Sequence, residues 1–546
     1  MNFIENETAQ KLRGGYYTPL DLATYIAKWV VGRNSSSVLE PSCGDGVFAQ
    51  ALANTANFTG KFVGFELLTE EAQKAKARCD AIKGFTTTIH NSDYLEWAIE
   101  NLETPAKLFD GVVGNPPFIR YQYLNPESQF KAAKIFKILG LPFTKHTNAW
   151  VPFVLASMSA LRPGGRFGMI LPAEIINVMH AQSLRTFFGN ECSRLLIIDP
   201  EEIWFEDTLQ GAVILLAEKK LERSDHSFGL GIKRIVGRKF LNESAEVLFD
   251  SIPRMNGKTV IGKWTHALLT EAERELMAEL EGHADIHRFK NIAGVDVGIV
   301  TGANKFFLVN DETVEKFGLQ AYAHPMFGRS DHCRGVIYDE AQHLSNVDKG
   351  NPTNFIWLKD LDLESDPAIA AYLELGKEQK LPSRYKCSVR TPWYTVPSVY
   401  STPIGLLKRA HNNPRLIHNE IGAYTTDTAY RITTSHCEPE RLVFSFVNSL
   451  TALSAELEGR AYGGGVLELV PSEVEKLIVP LPRCVIPDLR ELDTAIRRDS
   501  PNEVLIAQDR KIFSPIGVSE SMQEQLQTAW VRLRSWRQRI PTDDIE

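Results

Sequence analysis

The sequence has no stretch of about 18 or more consecutive apolar residues, so nothing in it reads as a membrane-spanning helix. Its opening residues, MNFIENETAQKLRGG, lack the apolar centre of a signal peptide. A cytoplasmic protein with no membrane partner is therefore expected. The seven cysteines are scattered, odd in number and form no Cys-x-x-Cys pair, which argues against a disulfide framework and a structural zinc site. No metal is expected. A basic surplus is also missing. The net charge is -8, so any binding to nucleic acid must rest on local patches rather than on the field of the whole chain. There is no His-Glu-x-x-His and no Gly-x-Ser-x-Gly, which removes the commonest metalloprotease and serine-hydrolase signatures.

What is present is ordinary in bulk. The 546 residues, 43% hydrophobic and 23% charged, suit two or three soluble globular domains. The first part alternates short apolar runs with helical patterns, the signature of a parallel α/β sheet. Strands are expected at 37–39, 61–65, 86–90, 109–114, 165–171 and 211–217, and helices at 46–54, 70–82 and 149–161. The second part has short runs, frequent turns and many Pro, Trp and Tyr. Helical patterns at 271–280 and 367–375 interrupt it, and an amphipathic segment at 519–539 reads as a closing helix. The expected organisation is a Rossmann-like α/β domain over 1–245 and a mixed α+β domain over 246–546.

Four stretches of the first part converge on one place. In VLEPSCGDGVFAQAL, a strand runs into a glycine turn and then a helix, which lets a ligand approach the backbone and the helix N-terminus. A dinucleotide fingerprint fails, because Gly44-Asp45-Gly46 has no third glycine after it, and a P-loop fails for want of Gly-Lys-Ser/Thr. An acidic residue at the strand end suits a ligand with a cationic amino-acid tail. Glu66 ends the second strand, where a carboxylate commonly accepts ribose hydroxyls, and Asp93 lies just past the third. The fourth strand, FDGVVG, runs into Asn115-Pro116-Pro117-Phe118. Two prolines in succession forbid helix and central strand, so this is a rigid turn at the edge where open α/β sheets bind ligands.

The order of these segments resembles that of the gamma-class (TaqI-like) N6-adenine DNA methyltransferases of type II restriction–modification systems. GGYYTPLDLA is similar to the family's opening aromatic-Thr-Pro, with Tyr17, Thr18 and Pro19. The resemblance implies S-adenosylmethionine (SAM) as cofactor. It would be held by those residues, by Glu40, Pro41, Cys43, Gly44 and Gly46 in the turn, by Glu66 at the ribose, and by Asp93 with Tyr94 at the adenine ring. It makes Asn115, Pro116, Pro117 and Phe118 the catalytic segment. LRPGGRFGMILPAEI resembles the family's Pro-Gly-Gly turn and strand. IWFEDTLQGAVILL points to Phe205 as a second ring, with Phe118, for the target base. Attack on cytosine C5 is disfavoured, since the thiolate it needs typically sits in a Pro-Cys pair and none occurs. Transfer to N4 of cytosine, also an exocyclic amine, stays open, but members of the family that perform it more often carry Ser at the first position, so the resemblance with Asn115 favours adenine.

In the second part, GVDVGIVTGANKFFLV and YGGGVLELVPSEVEKLIVPLP are similar to segments of the family's target-recognition domain. Basic residues interleaved with aromatics, at Arg384, Lys386, Arg390, Lys408, Arg409 and Arg415, suit contacts to DNA. A loose Asp366…Glu378-Gln379-Lys380 spacing resembles a nuclease centre, but the run has helical period where that chemistry wants a strand. The expected partners are duplex DNA and a separate cognate restriction endonuclease. Two other readings stay open: a SAM-dependent methyltransferase of RNA or of a protein glutamine, and a non-catalytic DNA-binding module that senses SAM.

Overall fold

A computed structural model describes residues 17–540 apart from 33–35, 56–57, 105–106, 202–210, 256–262, 360–366 and 463. The chain divides into two compact units that meet in sequence between Thr270 and Glu271.

The first unit is built on eight strands: β1 (Ser37–Glu40), β2 (Lys61–Phe65), β3 (Thr86–His90), β4 (Phe109–Gly114), β5 (Leu161–Pro172), β6 (Cys192–Pro200), β7 (Ala212–Lys219) and β8 (Leu230–Ile235). Their spatial order is β3-β2-β1-β4-β5-β7-β6-β8. Strands β3 through β5 run parallel. Strand β7 is inserted antiparallel between β5 and β6, and β8 runs parallel to β6. The order reverses between β1 and β4, which is the switch point where such sheets leave a crevice beyond their strand ends. The inner strands read as unbroken apolar runs because helices cover both faces: all of Ala212–Ala217 is buried.

The helices are α1 (Leu20–Val31), α2 (Val47–Ala53), α3 (Thr69–Asp80), α4 (Tyr94–Glu103), α5 (Pro126–Ile138), α6 (Trp150–Ser159), α7 (Gln182–Glu191) and α8 (Ala245–Ser251). Asp93 caps α4 by accepting the Leu95 N–H; Asn125 caps α5, which opens on a proline that needs no partner there. Trp29 of α1 stacks on Phe249 of α8 at 4.9 Å, so residues just past 245 pack into the core of the first unit.

The second unit is mixed α+β. A five-stranded sheet joins Gly294–Val297, Ala429–Thr433, Ile404–Leu407, Leu416–Asn419 and Ile337–Tyr338 in that order, and a four-stranded sheet lies around Ala323–Phe327. Phe306 stacks on Tyr372 at 4.4 Å in the core beside the second sheet. Residues Pro367–Glu378 form a helix, the period read from the sequence. The closing helix spans Glu520–Gln538, and its Arg537 forms a buried ion pair with Glu456 at 2.7 Å. Among the described residues no helix is long and apolar enough to cross a membrane.

Candidate active site

At the end of β1 the chain enters the turn 41–46. The Cys43 N–H donates to the Phe65 carbonyl at 2.8 Å, which ties the turn to the end of β2. Gly44 and Gly46 have φ of +50° and +84°, a region that favours glycine. A Cβ on Gly44 would meet nothing within 4 Å, whereas one on Gly46 would come within 3.1 Å of the Ala75 Cα. Gly46 therefore lets α2 close on α3, and among the described residues nothing crowds Gly44. Burial pushes the Cys43 thiol up, with Glu40 and Glu66 adding to the effect, so this cysteine is no thiolate nucleophile.

Three carboxylates surround the turn. Glu66 accepts the Gly44 N–H at 2.9 Å on one oxygen and the Leu68 N–H at 2.8 Å on the other. Asp45 pairs with Arg78 at 2.7 Å. Glu40 is 1% exposed, and its Oε2 meets no hydrogen-bond partner among the described residues. Burial pushes the Glu40 carboxyl well above its usual range, Asp45 and Glu66 push the same way, and Arg78 opposes them. A buried oxygen short of a donor, beside a glycine that no described residue crowds, fits a cationic ligand group such as the ammonium of SAM. Asp93 accepts the Leu95 N–H on Oδ1 and the Lys131 ammonium on Oδ2, each at 2.8 Å. Tyr94 is core instead: its hydroxyl bonds Ser157 at 3.0 Å and its ring packs against Phe65 and Phe153.

The turn after β4 lies against this loop. Gly114 packs beneath the Pro41 ring, 3.3 Å from where its own Cβ would stand. Asn115 is held twice: its Nδ2 donates to the Thr18 hydroxyl at 3.2 Å, and its carbonyl accepts from the Ser42 hydroxyl at 3.1 Å. Pro116 is buried, while Pro117 and Phe118 are half-buried, with Phe118 packed on the core of the unit. Tyr17 is exposed and bonds Glu71 at 3.0 Å, and Pro19 precedes α1. Thr18, Pro41, Ser42 and Asn115 thus come together at the switch point, with Glu40, Gly44 and Glu66 around the same turn. Phe205 lies outside the described residues.

Two polar groups near the turn were not singled out from the sequence. Glu174 follows the end of β5 and accepts from Asn148 at 2.7 Å and from the Trp150 indole at 2.9 Å. Burial pushes its carboxyl up, but the neighbouring His180 ring and the donors from Trp150 and Asn148 together hold it below the usual range. Lys131 on α5 lies within 2.8 Å of Asp93, Glu96 and Glu127; burial opposes its charge, and these carboxylates hold its ammonium above the ordinary value. The sequence cue for Glu174 is its place just past a strand end.

In the second unit the six basic candidates separate. Arg384 and Lys386 are exposed. Arg390 donates to the carbonyls of Val300 and Thr301, both at 2.7 Å. Lys408 and Arg409 flank the buried Glu468 at 3.2 and 2.7 Å. Arg415 bonds the Arg334 carbonyl, and burial lowers its pKa.

Comparison with known proteins follows this division. Residues 2–235 match the model of the N-6 DNA methylase family, and residues 261–513 match the C-terminal domain of the type II methyltransferase M.Eco57I. The type II methyltransferase M.AccI of Acinetobacter calcoaceticus is 23% identical over 494 residues, 84% of each chain. M.BstVI of Geobacillus stearothermophilus is 21% identical over 540 residues, covering 88% of this chain and 92% of that protein. M.XamI of Xanthomonas campestris pv. amaranthicola is 23% identical over 493 residues, covering 86% and 85%. With an N-6 DNA methylase model on its first unit and a type II methyltransferase model on its second, the chain is a SAM-dependent DNA methyltransferase similar over both units to those of restriction–modification systems, consistent with the gamma class of N6-adenine enzymes.

Proposed function

We propose that the first unit binds SAM at the turn 41–46 and transfers its methyl group to N6 of an adenine flipped out of duplex DNA, while the second unit selects the site. The observation that carries this reading is the double anchoring of Asn115 by Thr18 and Ser42 beside the Gly44 turn. Adenine N6 is a poor nucleophile, because its lone pair is delocalised into the ring. The Asn115 Oδ1 and the Pro116 carbonyl each accept one N6–H, which draws the nitrogen toward tetrahedral geometry and localises the pair. The Thr18 bond orients the amide, and the prolines stiffen the turn, so these acceptors need no rearrangement as charge develops. Phe118 offers the base a stacking face worth about 1–3 kcal/mol, and Phe205 is assigned to the opposite face.

Bound SAM would supply a methyl group on a sulfonium: the N6–C bond would form as the S–C bond breaks, the neutral thioether S-adenosylhomocysteine would leave and N6 would shed one proton to solvent, so positioning by the chain supplies most of the remaining acceleration. Glu40 is assigned to the ammonium of its amino-acid tail, Glu66 to the ribose hydroxyls and Asp93 to the adenine edge. The target amine lies inside the duplex, which makes extrusion of the base necessary. Exposed Arg384 and Lys386 are assigned to DNA phosphates. A separate cognate endonuclease is the expected partner in the cell.

The test is methyl transfer from labelled SAM to DNA, RNA and protein, with the modified base identified. Label is expected in DNA as N6-methyladenine, and Asn115→Ala should lower turnover by about 10²–10³-fold or more, as when a pre-organised polar group is removed. Label in RNA or protein alone would overturn the DNA reading. Absence of all label would favour a SAM-sensing module, and an unimpaired Asn115→Ala would overturn the role given to Asn115.

A further inference from the structure

The turn Asn115–Phe118 has an unusual weakness. Its two prolines carry no N–H, so its middle cannot be tied down through its own amides. Position must be imposed from the flanks. Upstream, Thr18 and Ser42 hold Asn115. Downstream, the segment 119–121 is gripped by the start of α6. The Asn148 Oδ1 accepts the Tyr121 N–H at 3.0 Å, and the next residue, Ala149, donates its N–H to the Ile119 carbonyl at 2.9 Å. Asn148 is 8% exposed, and its Nδ2 donates to Glu174 at 2.7 Å. Glu174 stands past the end of β5, which pairs with β4 up to Gly114 against Met169. The brace therefore closes a ring: β4, the turn, 119–121, Asn148, Glu174, β5 and back to β4.

We infer that Asn148, braced by Glu174, is a positioning residue that fixes the downstream end of the Asn115–Phe118 turn and so the placement of the acceptors for the target amine. This rests on the reading of that turn as the reaction centre. Neither side chain is assigned to touch the base or the cofactor. Asn148 orients backbone with its oxygen, and Glu174 fixes which way the amide points by taking its N–H. Trp150 donates to the same Glu174 oxygen at 2.9 Å, which holds the carboxylate in place when Asn148 is changed.

The experiment compares wild type with Asn148→Ala, Glu174→Ala, Glu174→Gln and the double alanine variant. It measures turnover, KM for SAM, thermal midpoint and amide hydrogen exchange at Tyr121. Asn148→Ala should lower turnover by about 10²-fold, the scale of a misplacement near 1 Å, with KM for SAM within about twofold and the midpoint little changed. Its Tyr121 amide should exchange faster. Glu174→Gln keeps an acceptor oxygen and should recover much of what Glu174→Ala loses. The double variant should be no worse than the poorer single one, since both belong to one brace. Wild-type turnover in Asn148→Ala, or a loss shared by turnover, KM and midpoint alike, would overturn the inference alone. A wild-type protein that methylates nothing would overturn the reading of the site and this inference with it.

Discussion

At the end of β1, Glu40 brings into the protein a carboxyl group with one oxygen that meets no donor among the described residues. Its pKa is raised, which fixes the sign of its effect. The protonated form sits comfortably; the charged form does not. Without SAM, the Glu40 contribution to stability is complete below the ordinary glutamate value of about 4.3. It is lost as pH rises through the raised folded value. At pH 8, Glu40→Gln should therefore stabilise the cofactor-free protein by about 1–3 kcal/mol and flatten the pH dependence of its melting temperature. The same change should weaken SAM binding about tenfold or more, since a charged partner of the ammonium is gone. Calorimetry with and without SAM reads both. A variant that lost stability and kept its affinity would contradict the assignment of Glu40 to the cofactor.

Among the elements, the turn between β1 and α2 gives a contrast between two glycines two residues apart. Gly44→Ala places a methyl where no described residue crowds it, at φ +50°, so the fold should survive with a loss of about 1–2 kcal/mol, while SAM affinity falls because the methyl occupies the ligand's approach. Gly46→Ala drives a methyl toward the Ala75 backbone at 3.1 Å and should cost about 1–3 kcal/mol more through overpacking of α2 on α3. Thermal melts and SAM titrations of the two variants separate fold from ligand. The elements around this turn were legible in the sequence because each pairs an apolar run with a glycine or acidic residue at its end; the range expected for β4 is the one observed. Others were not. β6 contains Leu195-Leu196-Ile197-Ile198, an apolar run without period that suits helix or strand equally, and only its place between β7 and β8 makes it a strand. Strand β8, at the sheet edge, mixes Lys233 and Arg234 into its run. Asn148 carries no local pattern, and Glu174 only its place just past a strand end; what defines the pair is a bond across 26 residues.

For the whole molecule, the two units predict a division of ligand effects. SAM alone should slow amide exchange around Gly44, Cys43 and Leu68, where amides support the turn or bond Glu66. Duplex DNA should slow exchange or proteolysis around Arg384–Lys386 in the second unit. Hydrogen exchange by mass spectrometry with each ligand checks this; SAM protection confined to the second unit would be incompatible with the assignment. The basic candidates show why sequence reading separates cofactor site from DNA surface so unevenly. The residues assigned to the cofactor lie at strand ends, whose positions follow from local pattern. Whether an arginine is available to DNA depends on distant partners, as with Arg409 and Glu468, 59 residues apart. The double hold on Asn115 has a last consequence, for how the protein is made. Thr18 and Ser42 lie 97 and 73 residues upstream of Asn115, and Asn148 and Glu174 follow it. A nascent chain released just past β4 would carry every residue proposed to touch the target amine, yet lack the strand and helix start that brace the turn. Competence is thus a late event in synthesis, reached only when long-range pairing in the sheet is complete.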